Sequence, residues 1–326
     1  MFCLPGWGAE DAWYETAVRI EPARTTNQVL SGAIDDIFKC FDQISRVLLA
    51  ILLFLGGMPH GILFAYLRFQ DQVNVYNCVA GGVGQPYHRR CSIPQGCPFS
   101  MMLIQFMLRI LSQLIKSLHP GVLLRMLADD LLLLYLGEQL NLLVDAFGCM
   151  HSFLFDLGSR LAPSKSATFS TDSNFRDYLR SHVWEQPGQT IGVRNHFRDL
   201  GTHVNIAGRT VAPTITGRLK RSVGFVHKVS RLPHSTLNKA TFINGKALAM
   251  GLYGCEAAPC SDGPMAALTA AIASAIGPHS KRSGNALVFS LLPDAKDCDP
   301  EWNVLNRRCK LLRRSTVKMP HLVPFC

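Results

Sequence analysis

Leu127-Ala128-Asp129-Asp130-Leu131-Leu132-Leu133-Leu134 is the stretch whose reading decides the fold. Apolar residues this dense around a short polar break read as buried strands, so residues 122–135 are expected to form two strands joined by a tight turn at Ala128-Asp129-Asp130. Two ionised carboxylates side by side in such a setting repel each other and lose hydration, a cost of several kcal/mol unless something compensates. A divalent cation is the simplest compensation. Mg²⁺ takes carboxylate oxygens and completes its shell with water and phosphate.

Working outward, a second acidic cluster lies upstream in Ile34-Asp35-Asp36-Ile37-Phe38-Lys39-Cys40-Phe41-Asp42-Gln43-Ile44. Residues 34–38 read as a strand and 41–54 as the helix after it. Between the clusters stands Cys91-Ser92-Ile93-Pro94-Gln95-Gly96-Cys97-Pro98-Phe99-Ser100-Met101. Its Pro and Gly residues mark a turn, and the Met-rich stretch 101–114 reads as a helix with Ser100 at its N-cap. Residues 61–75 look helical or mixed and 79–87 turn-like. Residues 140–157 form an amphipathic helical pattern, 167–169 a strand, and helical patterns dominate from Gly217 onward, including 264–276. An acid-bearing sheet flanked by helices and followed by a helical region is an α+β organisation.

An Asp-x-x-x-x-Phe-Asp block, an Ile-Pro-Gln-Gly-x-Pro-x-Ser block and an Ala-Asp-Asp block, in that order, resemble the palm of reverse transcriptases. The likeness is to the polymerases of non-long-terminal-repeat retrotransposons, with group II intron enzymes as cousins. Leu157-Gly158-Ser159-Arg160-Leu161-Ala162-Pro163-Ser164-Lys165-Ser166 looks like the next palm block. Asp199-Leu200-Gly201-Thr202 looks like the primer-grip hairpin, and Leu252-Tyr253-Gly254-Cys255-Glu256 like a late thumb segment. The resemblance implies a polymerase palm with an antiparallel sheet at residues 31–206, a mainly helical thumb at 207–276 and a basic extension at 277–326. Residues 1–30 would be a fingers remnant or N-terminal extension.

The resemblance also implies roles. Asp36 and Asp129 would be direct metal ligands, with Asp130 a nearby carboxylate of lesser weight, holding two Mg²⁺ ions for which Mn²⁺ could substitute. Asp35 and Asp42 are weaker candidates. Phe41 would lie under the sugar of the incoming nucleotide and exclude a 2′-hydroxyl; as a bare residue it reads equally well as a core Phe. Gln95 and Gly96 would line the nucleotide pocket. Lys165 would protonate the leaving pyrophosphate or neutralise its charge, with a solvated turn lysine as the competing reading. The residue before Ala128 is Leu127, where most of the family has an aromatic residue.

The chain has 326 residues, 48% of them hydrophobic, and a formal net charge of +10. That is long enough for two or three domains and suits a polyanionic partner. The charge is unevenly spread. No Asp or Glu occurs between Asp199 and Glu256, a stretch holding Arg209, Arg218, Lys220, Arg221, Lys228, Arg231, Lys239 and Lys246. A one-signed stretch of this length suggests a surface that tracks phosphates, with a solvated basic helix face as the alternative. The 11 cysteines are scattered without a Cys-x-x-Cys pair, which argues against zinc or disulfide scaffolding and for a reducing compartment; the resemblance adds the nucleus. No signal peptide is visible, and residues 47–55 are too short to span a membrane. A buried helix is the expectation there.

Two function classes follow. One is an RNA-directed DNA polymerase, a nucleotidyltransferase using deoxynucleoside triphosphates, an RNA template and a DNA primer. The other is a catalytically inactive retroelement remnant that binds nucleic acid. Only 35 residues precede Asp36, and Arg19 and Arg24 are the only basic residues before Lys39, so the fingers are expected to be truncated. An RNA-templated RNA polymerase is disfavoured by Phe41 and by the Ala-Asp-Asp form of the acidic turn.

Overall fold

The computed structural model describes residues 8–37, 39–89, 91–94, 96–159, 165–208, 210–278, 284–292 and 295–325. The chain divides into two compact units, Val29–Val193 and a second made of Met1–Gln28 with Arg194–Cys326. The first helix, α1 (Ala9–Thr25), thus belongs with the C-terminal half. These units differ from the expected boundaries. The hairpin near residue 200 goes with the helical unit, and so does the N-terminal segment.

The Val29–Val193 unit is built on one four-stranded antiparallel sheet, from β1 (Leu30–Asp36), β4 (Val122–Leu127), β5 (Asp130–Leu136) and β6 (Ala167–Ser170), in the order β4-β5-β1-β6. Between β1 and β4 run the short turn α2 (Cys40–Gln43), the helices α3 (Arg46–Leu55) and α4 (His60–Gln72), a two-residue-per-strand hairpin β2–β3 (Cys78–Val79 and Gly82–Val83), and α5 (Ser100–Leu118). Helix α6 (Leu140–Asp156) joins β5 to β6. After β6 come α7 (Ser173–Ser181) and the small hairpin β7–β8 (Val183–Trp184 and Gln189–Thr190).

The leucine run behaves as its period requires. Leu131, Leu133 and Tyr135 alternate onto one face with Ala33 and pack on Leu103, Met107, Leu111 and Ile115 of α5 and on Leu143, Phe147, Met150 and Leu154 of α6. Helix α5 is long and apolar enough by composition to cross a membrane; its buried stripe Leu103, Ile104, Met107, Leu108, Leu111 and Ile115 has the i, i+3/i+4 spacing of a core-facing helix. Gly32 lets β1 approach its neighbours closely. A Cβ there would stand 2.3 Å from the Phe169 ring and 2.6 Å from the Leu133 carbonyl oxygen.

Three local expectations are corrected. The helix expected over 41–54 is broken at Ile44-Ser45. Cys91 and Ser45 form a bridge there, and the Ser45 side chain accepts the Leu48 N–H as the N-cap of α3. Helix α3 is not a buried helix: only Leu49 and Leu53 are buried, whereas Val47, Ile51, Phe54 and Leu55 are half or more exposed. Ser100 is the first residue of α5, one position past the N-cap, and its hydroxyl donates to the Cys97 carbonyl at 2.7 Å.

In the second unit, β9 (His196–Asp199) and β10 (Thr202–Asn205) form a hairpin whose two-residue turn, Leu200-Gly201, has φ of 45° and 87°. Positive φ at both turn positions matches the right-handed twist of the flanking strands. Helix α8 (Pro213–Ser230) starts with Pro at its first position, as expected of a residue with no N–H to satisfy. Then follow α9 (Thr236–Phe242), one π turn (Ile243–Leu248), α10 (Ala249–Gly251), α11 (Asp262–Ile276), α12 (Asn285–Leu291) and α13 (Pro300–Lys318). Helices α8 and α11 share a core of Ile215, Leu219, Val226, Leu268 and Ile272. Helix α13 runs back to α1, where buried Asp11 accepts from Arg314 at 2.6 Å and Arg307 reaches Glu256 at 2.7 Å. The C-terminal region is therefore mostly helix, a point its Pro-punctuated sequence leaves open.

Candidate active site

The site is assembled by strand register. Strands β4 and β5 close as a two-residue hairpin in which Leu127 pairs with Asp130, and Ala128 takes the turn with a positive φ of 54°. Antiparallel pairing of β1 with β5 then sets Asp36 directly opposite Asp130. Residues directly opposite in a ladder share a face with Cβ atoms about 4.5–5.5 Å apart, and like charges there are destabilising. Asp129 sits beside them in the turn.

A cation offsets part of that repulsion. The Lys165 ammonium donates to Asp36 Oδ2 at 2.9 Å. Its hydrogen bond and Asp36's charge hold it above the ordinary lysine range, with further contributions from the Asp129 and Asp130 charges. Three carboxylates and one ammonium therefore lie around one end of β1, leaving net negative charge. Asp36 is partly exposed and Lys165 mostly so, so incoming polar groups can reach them.

The pocket wall follows from α2. Burial, then the Asp129 and Asp36 charges, push the Cys40 thiol up to about 12, which places it beside the acidic cluster. Phe41 is half-buried and packs on the main core. The Ile93 N–H donates to the Phe41 carbonyl at 2.8 Å and the Ser92 N–H to the Ile44 carbonyl at 2.9 Å. The Ile-Pro-Gln-Gly segment is thus stitched onto the Phe41 turn. Gly96 has φ 85°, and nothing lies within 4 Å of where its Cβ would be, so its glycine is explained by backbone conformation as well as by space. Gln95 and residues 160–164 lie outside the described residues.

A family model described as reverse transcriptase (RNA-dependent DNA polymerase) matches residues 14–200, more than half of the chain. This chain belongs to the reverse transcriptase family. A search of curated proteins returned no match. Among solved structures, apo telomerase from Candida tropicalis is similar at 10% identity with a TM-score of 0.47, covering 95% of this chain and 53% of that one. Telomerase from Candida albicans, in complex with a TWJ fragment of telomeric RNA, is similar at 13% identity with a TM-score of 0.44, covering 90% of this chain and 54% of that one. The chain therefore spans about half the length of these structures.

In this reverse transcriptase, Asp36, Asp129, Asp130 and Lys165 are gathered at one end of the sheet, and Phe41 and Gly96 lie on the two segments stitched together beside Cys40. The donor set suits a hard divalent cation: all-oxygen, net negative, and open to solvent. Among the described residues no three His, Cys, Asp or Glu side chains converge as a ready-made cage, so a bound ion would need water and phosphate oxygens to complete its shell. Asp42 is engaged elsewhere, accepting from Arg89 at 2.9 Å.

Sequence reasoning missed the inward partners of Asp35. That carboxylate is buried, accepts from the Ser166 hydroxyl, and lies 3.4 Å from His151 Nε2. Ser166 could have been suspected from its place next to Lys165; nothing local pointed to His151. The basic stretch is also resolved residue by residue. Lys220, Arg221, Lys228 and Arg231 are exposed on or just beyond α8, and Lys246 lies over the Phe225 ring at 5.4 Å. Lys239 is tied to the Ser230 carbonyl at 2.9 Å. Arg218 is not part of a solvated face: it donates to the Tyr253 carbonyl at 2.8 Å and lies over the Tyr253 ring at 5.0 Å. Arg209 lies outside the described residues.

Proposed function

We propose that this chain works as an RNA-directed DNA polymerase of retrotransposon type, transferring nucleotides from dNTPs to the 3′-hydroxyl of a DNA primer on an RNA template. The observation that carries the reading is the register that sets Asp36 opposite Asp130, with Asp129 in the adjoining turn and Lys165 on Asp36. Asp36, Asp129 and Asp130 would hold Mg²⁺, or Mn²⁺ in its place. When bound, two such ions supply charge stabilisation to the attacking and the leaving oxygen of an in-line displacement.

The chain's own groups would do the rest. Lys165, already protonated and mobile at the surface, would meet the triphosphate and hand a proton to the leaving pyrophosphate. Phe41 would fill the space that a ribose 2′-hydroxyl needs, selecting deoxynucleotides by steric exclusion. Gln95 and Gly96 would line the nucleotide pocket. Lys220, Arg221, Lys228 and Arg231 would contact nucleic-acid phosphates without reading sequence.

Primer extension on a poly-rA template with an oligo-dT primer tests the reading. Mg²⁺-dependent extension by the purified chain, abolished by Asp129→Asn, is the expected result. The absence of a ready-made acidic cage among the described residues favours one second reading, a non-catalytic remnant that binds nucleic acid. Salt-sensitive hybrid binding without any extension would establish that reading instead.

A further inference from the structure

Strands β1 and β6 pair as far as Ile34 opposite Ala167. Continuing that register by two residues sets Asp35 opposite Ser166 and Asp36 opposite Lys165. Both side-chain pairs are formed. Lys165 bonds Asp36 on the open side at 2.9 Å, and the Ser166 hydroxyl donates to Asp35 Oδ1 on the buried side. Successive strand residues point to opposite faces, so the ladder is continued by side chains after its backbone bonds have ended.

The inward pair is a built site with no part in the chemistry proposed above. The Asp35 side chain is 0% exposed and that of His151 1%. Burying a carboxylate is costly unless it is bonded and paired. Asp35 Oδ1 accepts both the Ser166 hydroxyl and the Asp36 N–H, the latter at 3.0 Å. His151 Nε2 stands 3.4 Å from Oδ2, and its ring is held by Phe147 at 4.1 Å and Trp184 at 5.9 Å between centroids.

Resting on the polymerase reading of Asp36 and Lys165, we infer that Asp35, Ser166 and His151 are positioning residues: a buried latch that fixes the end of β1 and residues 165–166. Asp36 and Lys165 are thereby presented together on the open face. The physical reason is that β1 ends where the acid is needed. Without backbone pairing beyond Ile34 on that side, the strand end would fray, and the Asp36 carboxylate would sample many orientations. Groups that orient metal-binding carboxylates typically cost about 10–100-fold in metal affinity when removed.

The test uses the full chain and Mn²⁺ alone, followed by electron paramagnetic resonance, together with hydrogen exchange on peptides covering Asp36 and residues 165–170. Asp36→Asn serves as the control for binding at the cluster. Ser166→Ala removes the donor and should weaken Mn²⁺ binding roughly 10-fold, while Ser166→Thr, which keeps the hydroxyl, should restore it. If the added methyl prevents folding, His151→Gln against His151→Leu makes the same comparison, with Gln retaining affinity and Leu losing it. Exchange should quicken at Asp36 and Ser166 in Ser166→Ala and stay unchanged over residues 131–135. Wild-type Mn²⁺ affinity in both Ser166→Ala and His151→Leu would overturn the inference. Should Asp36→Asn have no effect on Mn²⁺ binding, the polymerase reading fails by itself. The latch then stands if exchange quickens at those two sites in Ser166→Ala, and falls if it does not.

Discussion

Arg218 separates a structural cation from a nucleic-acid-binding one within a single helix. Its guanidinium spans from α8 to the turn after α10, donating to the Tyr253 carbonyl at 2.8 Å with its carbon 5.0 Å from the Tyr253 ring centroid. The Tyr253 hydroxyl in turn donates to the Leu200 carbonyl at 3.1 Å in the turn of the β9–β10 hairpin. Burial, then the neighbouring Arg198 charge, pull the Arg218 pKa below its ordinary value. The group thus remains in place at an electrostatic cost that its bonds offset. A hydrogen bond from a charged donor contributes about 1.5–3 kcal/mol and a cation–π contact about 0.5–1 kcal/mol at a partly exposed site. Arg218 is only partly buried, so the lower ends apply and Arg218→Ala should cost about 2 kcal/mol. For a unit of this size that is a fall in melting temperature of roughly 4–8 °C. Lys220→Ala with Arg221→Ala, on the exposed side of the same helix, should leave stability within about 0.5 kcal/mol. The same pair should lower affinity for an RNA–DNA hybrid and flatten its salt dependence by about 0.7–0.9 log units for each phosphate left without its cation. Thermal melts and salt-titrated anisotropy on the three proteins decide the matter. An Arg218→Ala protein that melts like wild type but binds as weakly as the double variant would refute the assignment.

Gly32→Ala should be strongly destabilising, by about 3 kcal/mol or more, because its Cβ would meet the Phe169 ring at 2.3 Å and a backbone oxygen at 2.6 Å; a wild-type urea midpoint would show that β1 can shift. If the chain extends primers, Phe41→Ala should admit ribonucleotides while keeping deoxynucleotide incorporation, and unchanged sugar discrimination in single-nucleotide assays would make Phe41 a core residue only. Cys40 should resist iodoacetamide at pH 8–9 while exposed Cys78, Cys91 and Cys309 react, as read by peptide mass spectrometry, because burial and then the Asp129 and Asp36 charges hold its thiol protonated. The folded value of about 12 lies above the ordinary 9.0. The unfolded chain therefore ionises first, and this group's contribution to stability is intact below pH 9 and declines as pH rises from 9 toward 12.

The acidic hairpin was readable because its signal is local. A leucine run broken by two aspartates can satisfy its apolar residues only as paired strands, and β4, β5 and their turn lie where that pattern puts them. The helices α5, α6 and α11 were legible for the same reason, since each carries its own apolar period. The break at Ile44-Ser45 was hidden, because an uninterrupted apolar pattern does not show that Cys91 and Ser92 will take the backbone bonds of that segment. Helix α1 was hidden by its mixed composition; its anchor, Asp11, finds Arg314 more than 300 positions away.

For the site, the sequence by itself determined the identity of the outward-facing groups: Asp36, Asp129, Asp130 and Lys165 each stand in a recognisable block. Only the tertiary structure decided what stands behind and beside them. Asp35 differs from Asp36 by one position, yet strand alternation turns it inward to Ser166 and His151. Arg218 has the same charge as Lys220 and Arg221, yet the rotation of a helix turns it toward Tyr253. Composition records that a charge is present. Its partner, and hence its role, depends on which segment packs against that face, and this is set by packing between residues far apart in the chain.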